Sequence, residues 1–104
     1  MVKVERWDEA RDGELSETAL RRKLEALGYS VYLYTYLPGT RFETHRHSVD
    51  KIDAVLAGTF RIEMEDQSVL LEAGDLVWVP RDTPHAAEVV SERAVISLDA
   101  VRRD

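Results

Sequence analysis

Cysteine and asparagine are absent from this 104-residue chain, glutamine occurs once, and lysine occurs three times against eleven arginines. Without cysteine there is no disulfide, no thiolate metal ligand and no cysteine nucleophile, so any chemistry must use nitrogen and oxygen. The shortage of amides fits a heat-adapted source, or a GC-rich genome. No apolar run approaches the roughly 20 residues needed to cross a bilayer. The opening Met-Val-Lys-Val-Glu-Arg-Trp has neither the apolar core nor the cleavage site of a secretion signal, and a soluble, cytoplasmic protein with no membrane partner is expected. Positive charge is also short: 14 basic residues face 20 acidic ones for a net charge of −6. With no basic patch interleaved with aromatics, nucleic acid is not an expected partner. The chain has no Gly-x-Ser-x-Gly elbow and no glycine-rich phosphate loop, which disfavours serine-esterase and nucleotide-hydrolysing chemistry.

What is present, a chain of 44% hydrophobic residues, suits one compact core. Ser16 is placed to cap a helix in which Leu20, Leu24 and Leu27 recur at helical spacing, and Gly28 supplies a left-handed stop. From Tyr29 the period changes to two, with Tyr32, Tyr34 and Tyr36 alternating with Val31, Leu33 and Thr35 until Pro38-Gly39. Further strand-like runs cover 41–46, 52–57, 59–65, 68–71, 76–79, 85–90 and 94–98, separated by glycine, proline and acidic turns. Many short strands at near-regular spacing predict an antiparallel sandwich or barrel. Residues 1–28 are expected to form an N-terminal strand and helix packing on a barrel of residues 29–104, one domain overall.

The chain has only three histidines. In a strand, residues i and i+2 share a face about 7 Å apart, so His45 and His47 can lean toward one ion. His85 follows Pro80-Arg-Asp-Thr-Pro84 at the start of another strand-like run. Gly39, His45, His47, Lys51 and Gly58 have the spacing of Gly, five residues, His-x-His, three or four residues, Glu, six residues, Gly. Gly74, Pro80 and His85 match a second motif, with Asp82 at its second glycine and Val89 at its asparagine. In these two motifs, spanning about half the chain, the sequence resembles the cupin superfamily. The resemblance implies an all-β fold, the double-stranded β-helix or jelly-roll barrel. It also implies a divalent transition metal held by His45, His47 and His85.

The chain departs from that pattern at Lys51, which stands where the family carries its ligating glutamate and has no lone pair to offer an ion. A lysine near a divalent ion raises the local charge, and each unit-charge pair at about 4 Å is worth about 4 kcal/mol at an effective dielectric near 20. Two arrangements follow. Asp53, on the same strand face as Lys51, either donates an oxygen to the metal or pairs with Lys51, and the second is the expectation. Loss of the metal, with Lys51 supplying the positive charge, is a third reading.

Three histidines with open positions suit Fe, Zn, Ni, Cu or Co rather than Mg or Ca. The expected function is metal-dependent catalysis on a small molecule, of dioxygenase, isomerase or decarboxylase class, with Lys51 or Asp53 as general acid or base. Oxidative chemistry at Fe(II) heads that group, and a non-catalytic sensing module is the alternative. The tyrosine stripe is expected in the core, with pocket or interface roles as alternatives. Trp78 is the tryptophan placed to reach a pocket, and Arg61 is expected to be solvated. A homodimer is expected of a small barrel with exposed edges, and a storage or structural role built on sheet-edge pairing ranks third.

Overall fold

In the computed structural model, which describes residues 1–103, β1 (Val4–Glu5) leads into two helices, α1 (Glu9–Asp12) and α2 (Glu17–Ala26). Eight strands follow: β2 (Tyr29–Tyr36), β3 (Arg41–His45), β4 (Lys51–Ala57), β5 (Phe60–Met64), β6 (Gln67–Leu71), β7 (Leu76–Val79), β8 (His85–Val89) and β9 (Val95–Arg102). They form a five-stranded sheet ordered β1-β7-β4-β9-β2 and a four-stranded sheet ordered β3-β8-β5-β6, every pairing antiparallel. This is the jelly roll the motifs imply. Among the described residues, no helix is long and apolar enough to cross a membrane.

Strand alternation sorts the five-stranded sheet into two buried faces. Val55, Val77, Val79 and Val95 point inward and meet Phe60, Ile62, Met64, Leu71, Ala87 and Val89 of the second sheet. Ile52, Ala54, Leu76, Leu98 and Ala100 point outward beneath Leu20 and Leu24 of α2, with Trp7, Leu15 and Trp78 at the margin. The helix therefore replaces water on the back of the sheet, and the strands read as nearly continuous apolar runs because neither face is wet.

Local signals explain most boundaries. The Ser16 hydroxyl accepts the Ala19 N–H at 3.0 Å and starts α2. The helix ends one residue before Leu27, which is 44% exposed, so the third leucine of the periodic set lies outside the core. The short α1, held by Asp8 accepting the Ala10 N–H, has no hydrophobic period to announce it. Strand β9 runs four residues past the predicted end at Leu98, because Asp99 and Arg102 interrupt the apolar pattern without interrupting the pairing to β2 and β4.

Two glycines of the first motif have different reasons to be glycine. Both have positive φ, 81° at Gly39 and 82° at Gly58, but a Cβ at Gly39 would meet nothing within 4 Å, whereas one at Gly58 would lie 2.6 Å from the Ala94 carbonyl oxygen. Gly39→Ala is expected to cost the left-handed backbone penalty alone, about 1–2 kcal/mol. Gly58→Ala should cost about 1–3 kcal/mol more, because the clash is with backbone. Urea unfolding of the two variants, with equal losses, would refute this distinction.

Candidate metal centre

The site starts from a register shift. β3 pairs with β8 as Arg41↔Glu88 and Phe42↔Ala87, then slips by one residue so that His45, not Thr44, lies opposite His85. One extra residue in a strand reverses which side chains face inward beyond it. Phe42 faces the inter-sheet cavity and, past the bulge, so does His45, while Thr44 turns to an open groove on the other side of β8. That groove is larger, about 620 Å³, yet of the three imidazoles only His85 borders it.

His47 lies beyond the end of β3, so the pair is not two residues of one regular strand, as its spacing suggested. His45 closes β3 rather than opening it. A loop contact positions His47 instead: its carbonyl accepts the Asp82 N–H at 2.7 Å. Asp82 has φ 58°, a left-handed conformation that explains why the second motif has glycine at this position and that aspartate tolerates better than most residues. A second tie joins the same loops, the Arg81 N–H donating to Asp50 Oδ1 at 2.8 Å.

The three rings converge, with centroids 4.4 Å (His45–His85), 4.8 Å (His45–His47) and 5.2 Å (His47–His85) apart. One nitrogen from each lies within 4.8 Å of the other two. Backbone carbonyls orient two of the rings, Glu43 O at 2.7 Å from His45 Nδ1 and Thr83 O at 2.9 Å from His85 Nδ1. With Nδ1–H donating to these carbonyls, Nε2 carries the free lone pair, the arrangement a metal-ligating histidine adopts. Burial, followed by the Lys51 charge, lowers the pKa of His47. Burial also lowers that of His85, against the opposing Thr83 carbonyl. Both effects favour neutral imidazole, the form that ligates. The donor set therefore fits a transition ion.

The cavity of about 200 Å³ that the histidines line is also lined by Lys51, Asp53, Asp99 and Tyr36. Asp53 of β4 and Asp99 of β9 are direct cross-strand partners. Lys51 Nζ sits 3.9 Å from Asp53 Oδ1 and 4.0 Å from Asp99 Oδ2. The Tyr36 hydroxyl donates to Asp99 Oδ2 at 2.9 Å and the Ser97 hydroxyl to Asp99 Oδ1 at 2.6 Å. Asp53 Oδ1 is the one buried side-chain polar atom without a hydrogen-bond partner among the described residues. Burial, then the neighbouring Asp99, pushes the Asp53 pKa up to about 6, with Lys51 and His45 opposing. Burial and Asp99 also push the Tyr36 phenol upward, so it remains a donor.

The fold thus brings together all five sequence-predicted site residues. Lys51 and Asp53 lie on one strand face at ion-pair distance. Asp99, Tyr36 and Ser97 complete the polar wall. Asp99 was missed because the strand was ended before it, although a lone aspartate inside an apolar alternation is a readable signal. Other expectations need correction. Trp78 faces outward beneath α2, since Val77 and Val79 take the inward positions of β7. Tyr32 and Tyr34 are exposed rather than core, and only Tyr36 of the stripe reaches the cavity. Arg61 is paired with Glu88 at 2.5 Å across β5 and β8 rather than simply solvated.

Residues 32–101 match the sequence profile described as Cupin domain. The chain belongs to the cupin family. Among solved structures, this cupin is similar to KdgF from Halomonas sp., with 29% identity, coverage of 74% of this chain and 72% of that one, and a TM-score of 0.60. It is also similar to the DMSP lyase DddQ from Ruegeria pomeroyi DSS-3, at 28% identity and a TM-score of 0.65, covering 74% of this chain. This cupin spans 39% of that lyase's length. A cupin superfamily protein from Desulfitobacterium hafniense DCB-2 shares the fold at 17% identity and a TM-score of 0.63, covering 100% of this chain and 79% of that one. No protein of curated function matches the sequence.

The raised Asp53 pKa makes stability depend on pH. A native carboxyl that keeps its proton to about pH 6, against 3.8 as the ordinary value, contributes fully below about pH 4. That contribution is lost as pH rises through about 6, and a displacement of this size is worth about 3 kcal/mol. Relative to the parent cupin in chelator, Asp53→Asn is expected to gain about this much between pH 4 and pH 7. Urea unfolding across that range checks it, and a pH-independent difference would be inconsistent with a buried, proton-holding Asp53.

Proposed function

We propose that this cupin is a metal-dependent enzyme of lyase or isomerase class, moving a proton on a small molecule beside a transition ion held by His45, His47 and His85. The observation that carries the reading is that two sets of groups line one small cavity, three imidazoles, of which burial biases His47 and His85 to the neutral form, and a buried carboxylate with an ammonium. All-nitrogen donors suit Fe, Zn, Ni, Cu or Co. The ion, when bound, supplies Lewis acidity toward a substrate oxygen.

The chain's own residues supply the rest. Asp53, with its pKa near neutrality, serves as general base, where the match between pKa and working pH is best. Asp99 raises the proton affinity of Asp53 and is itself fixed by Tyr36 and Ser97. Lys51 holds the position between the two carboxylates. Phe42, Phe60 and Tyr36, in edge and stacked contact at centroid distances of 4.9, 5.6 and 6.2 Å, wall the cavity and keep bulk water from the carboxylate. The DMSP lyase among similar structures supports proton-transfer chemistry over oxidative chemistry at Fe(II), which would leave the Asp53–Asp99 pair without a task. A binding module without turnover is the second reading, favoured by Lys51, whose charge in the histidine cavity can replace that of an ion.

Elemental analysis of the purified protein is expected to find one Fe, Zn, Ni, Cu or Co per chain, reduced about tenfold or more in His45→Ala and His85→Ala. Unchanged metal in both variants would remove the centre, and dioxygen-dependent turnover would replace the lyase reading. Lys51→Glu restores the family carboxylate beside the histidines and is expected to slow metal loss to a chelator. Equal or faster loss would show that residue 51 does not act on the ion.

A further inference from the structure

Lys51 has no hydrogen-bond acceptor among the described residues, although it lines the cavity and two carboxylates stand near it. Asp53 Oδ1 at 3.9 Å and Asp99 Oδ2 at 4.0 Å are within ion-pair range but beyond hydrogen-bond range. Asp99 is occupied by Tyr36 and Ser97, so it is held back from closing on the ammonium. The side chain of Lys51 is 15% exposed, which limits its freedom and leaves its three N–H donors facing the cavity. The apolar part of the same cavity wall is made by Phe42, Phe60 and Ala87.

A ligand that satisfies both ends carries an anionic acceptor at one end and a short apolar body at the other. Two charge constraints narrow the anion. Each further negative charge would be repelled by Asp53 and Asp99 beside it, which favours a monoanion over a dianion such as phosphate. The ammonium is a single point charge with rotatable donors, one lysine without the bidentate fork that arginine offers a phosphate. The cavity, at about 200 Å³, is smaller than the sites that take drug-sized ligands. We propose that Lys51 anchors the carboxylate of a short-chain monocarboxylic acid whose hydrocarbon part lies against Phe42 and Phe60.

The assignment deepens the reading above, on which it rests for this cavity being the reaction site, and it divides the labour of the wall. Lys51 binds, leaving Asp53 free as base, and a carboxylate on the ammonium holds the adjoining carbons in the cavity that Asp53 and the histidines line. It also gives the replacement of glutamate by lysine a purpose, since the residue that would ligate the ion is exchanged for one that ligates the substrate.

Titration of the protein with butyrate, butyramide and inorganic phosphate, followed by amide chemical shifts, tests this on metal-loaded and chelator-treated samples. Butyrate is expected to shift residues around Lys51 and Phe42 in both samples, with butyramide and phosphate weaker by about tenfold, the scale of a lost hydrogen bond to a charged group. Lys51→Gln should lose about tenfold in butyrate affinity, and Lys51→Arg should retain most of it. Equal binding of butyrate and butyramide by the parent protein would overturn the proposal without reliance on any variant. So would undiminished butyrate binding by Lys51→Gln, or tighter binding of phosphate. Metal that fails to bind while butyrate discrimination persists would overturn the metal-centre reading alone. Metal bound without discrimination would overturn only the carboxylate anchor.

Discussion

The pairing of His45 with His85 across β3 and β8 depends on one extra residue in β3. Had the ladder continued in register from Phe42↔Ala87, Thr44 would face the cavity and His45 the outside, since side chains alternate strictly along a strand. The histidine pair is therefore a property of backbone register, and two packed sheets keep that register in place. His47 adds the third ring through a loop contact to Asp82 rather than through the sheet. The closing turn of the second motif thus supports a residue of the first, and the two motifs are one structural unit although some fifteen residues of chain separate them.

Electrostatics divides the same cavity into halves. At His47 and His85, burial and the nearby lysine favour neutral rings. At the carboxylates, burial and a like-charged neighbour favour a protonated Asp53. Two carboxylates placed directly opposite on adjacent strands repel one another. This pair persists because the phenol and serine hydroxyl stabilise one member, Asp99, while Lys51 offsets the other from 3.9 Å. Environments that push neighbouring groups apart in proton affinity are a recurring sign of acid–base function.

Much of this was legible in the chain, and the losses have physical causes. An antiparallel barrel and the α2 cap follow from period and turn residues, and the three converging histidines are what the resemblance to cupins implies. The same-face relation of Lys51 and Asp53 follows from alternation alone. Three things were hidden. The β3 bulge leaves no mark in a five-residue strand, and the i, i+2 spacing of His45 and His47 reads as one strand although β3 ends at His45. Asp99 was lost because hydrophobic pattern stops at Leu98 while hydrogen bonding continues. Trp78 was misjudged because β7 is buried on both faces, and such a strand gives no polar side from which to tell inward from outward.

The outward face of β4 carries Ile52 and Ala54 against α2, while its inward face carries Lys51 and Asp53. Close-packed interiors transmit displacement, so a bulkier residue at Ala54 would push the strand toward the imidazoles and a smaller one at Ile52 would let it recede. The helix thus sets the depth of the cavity from behind. Variation along α2 can change that depth while the residues lining the cavity stay the same.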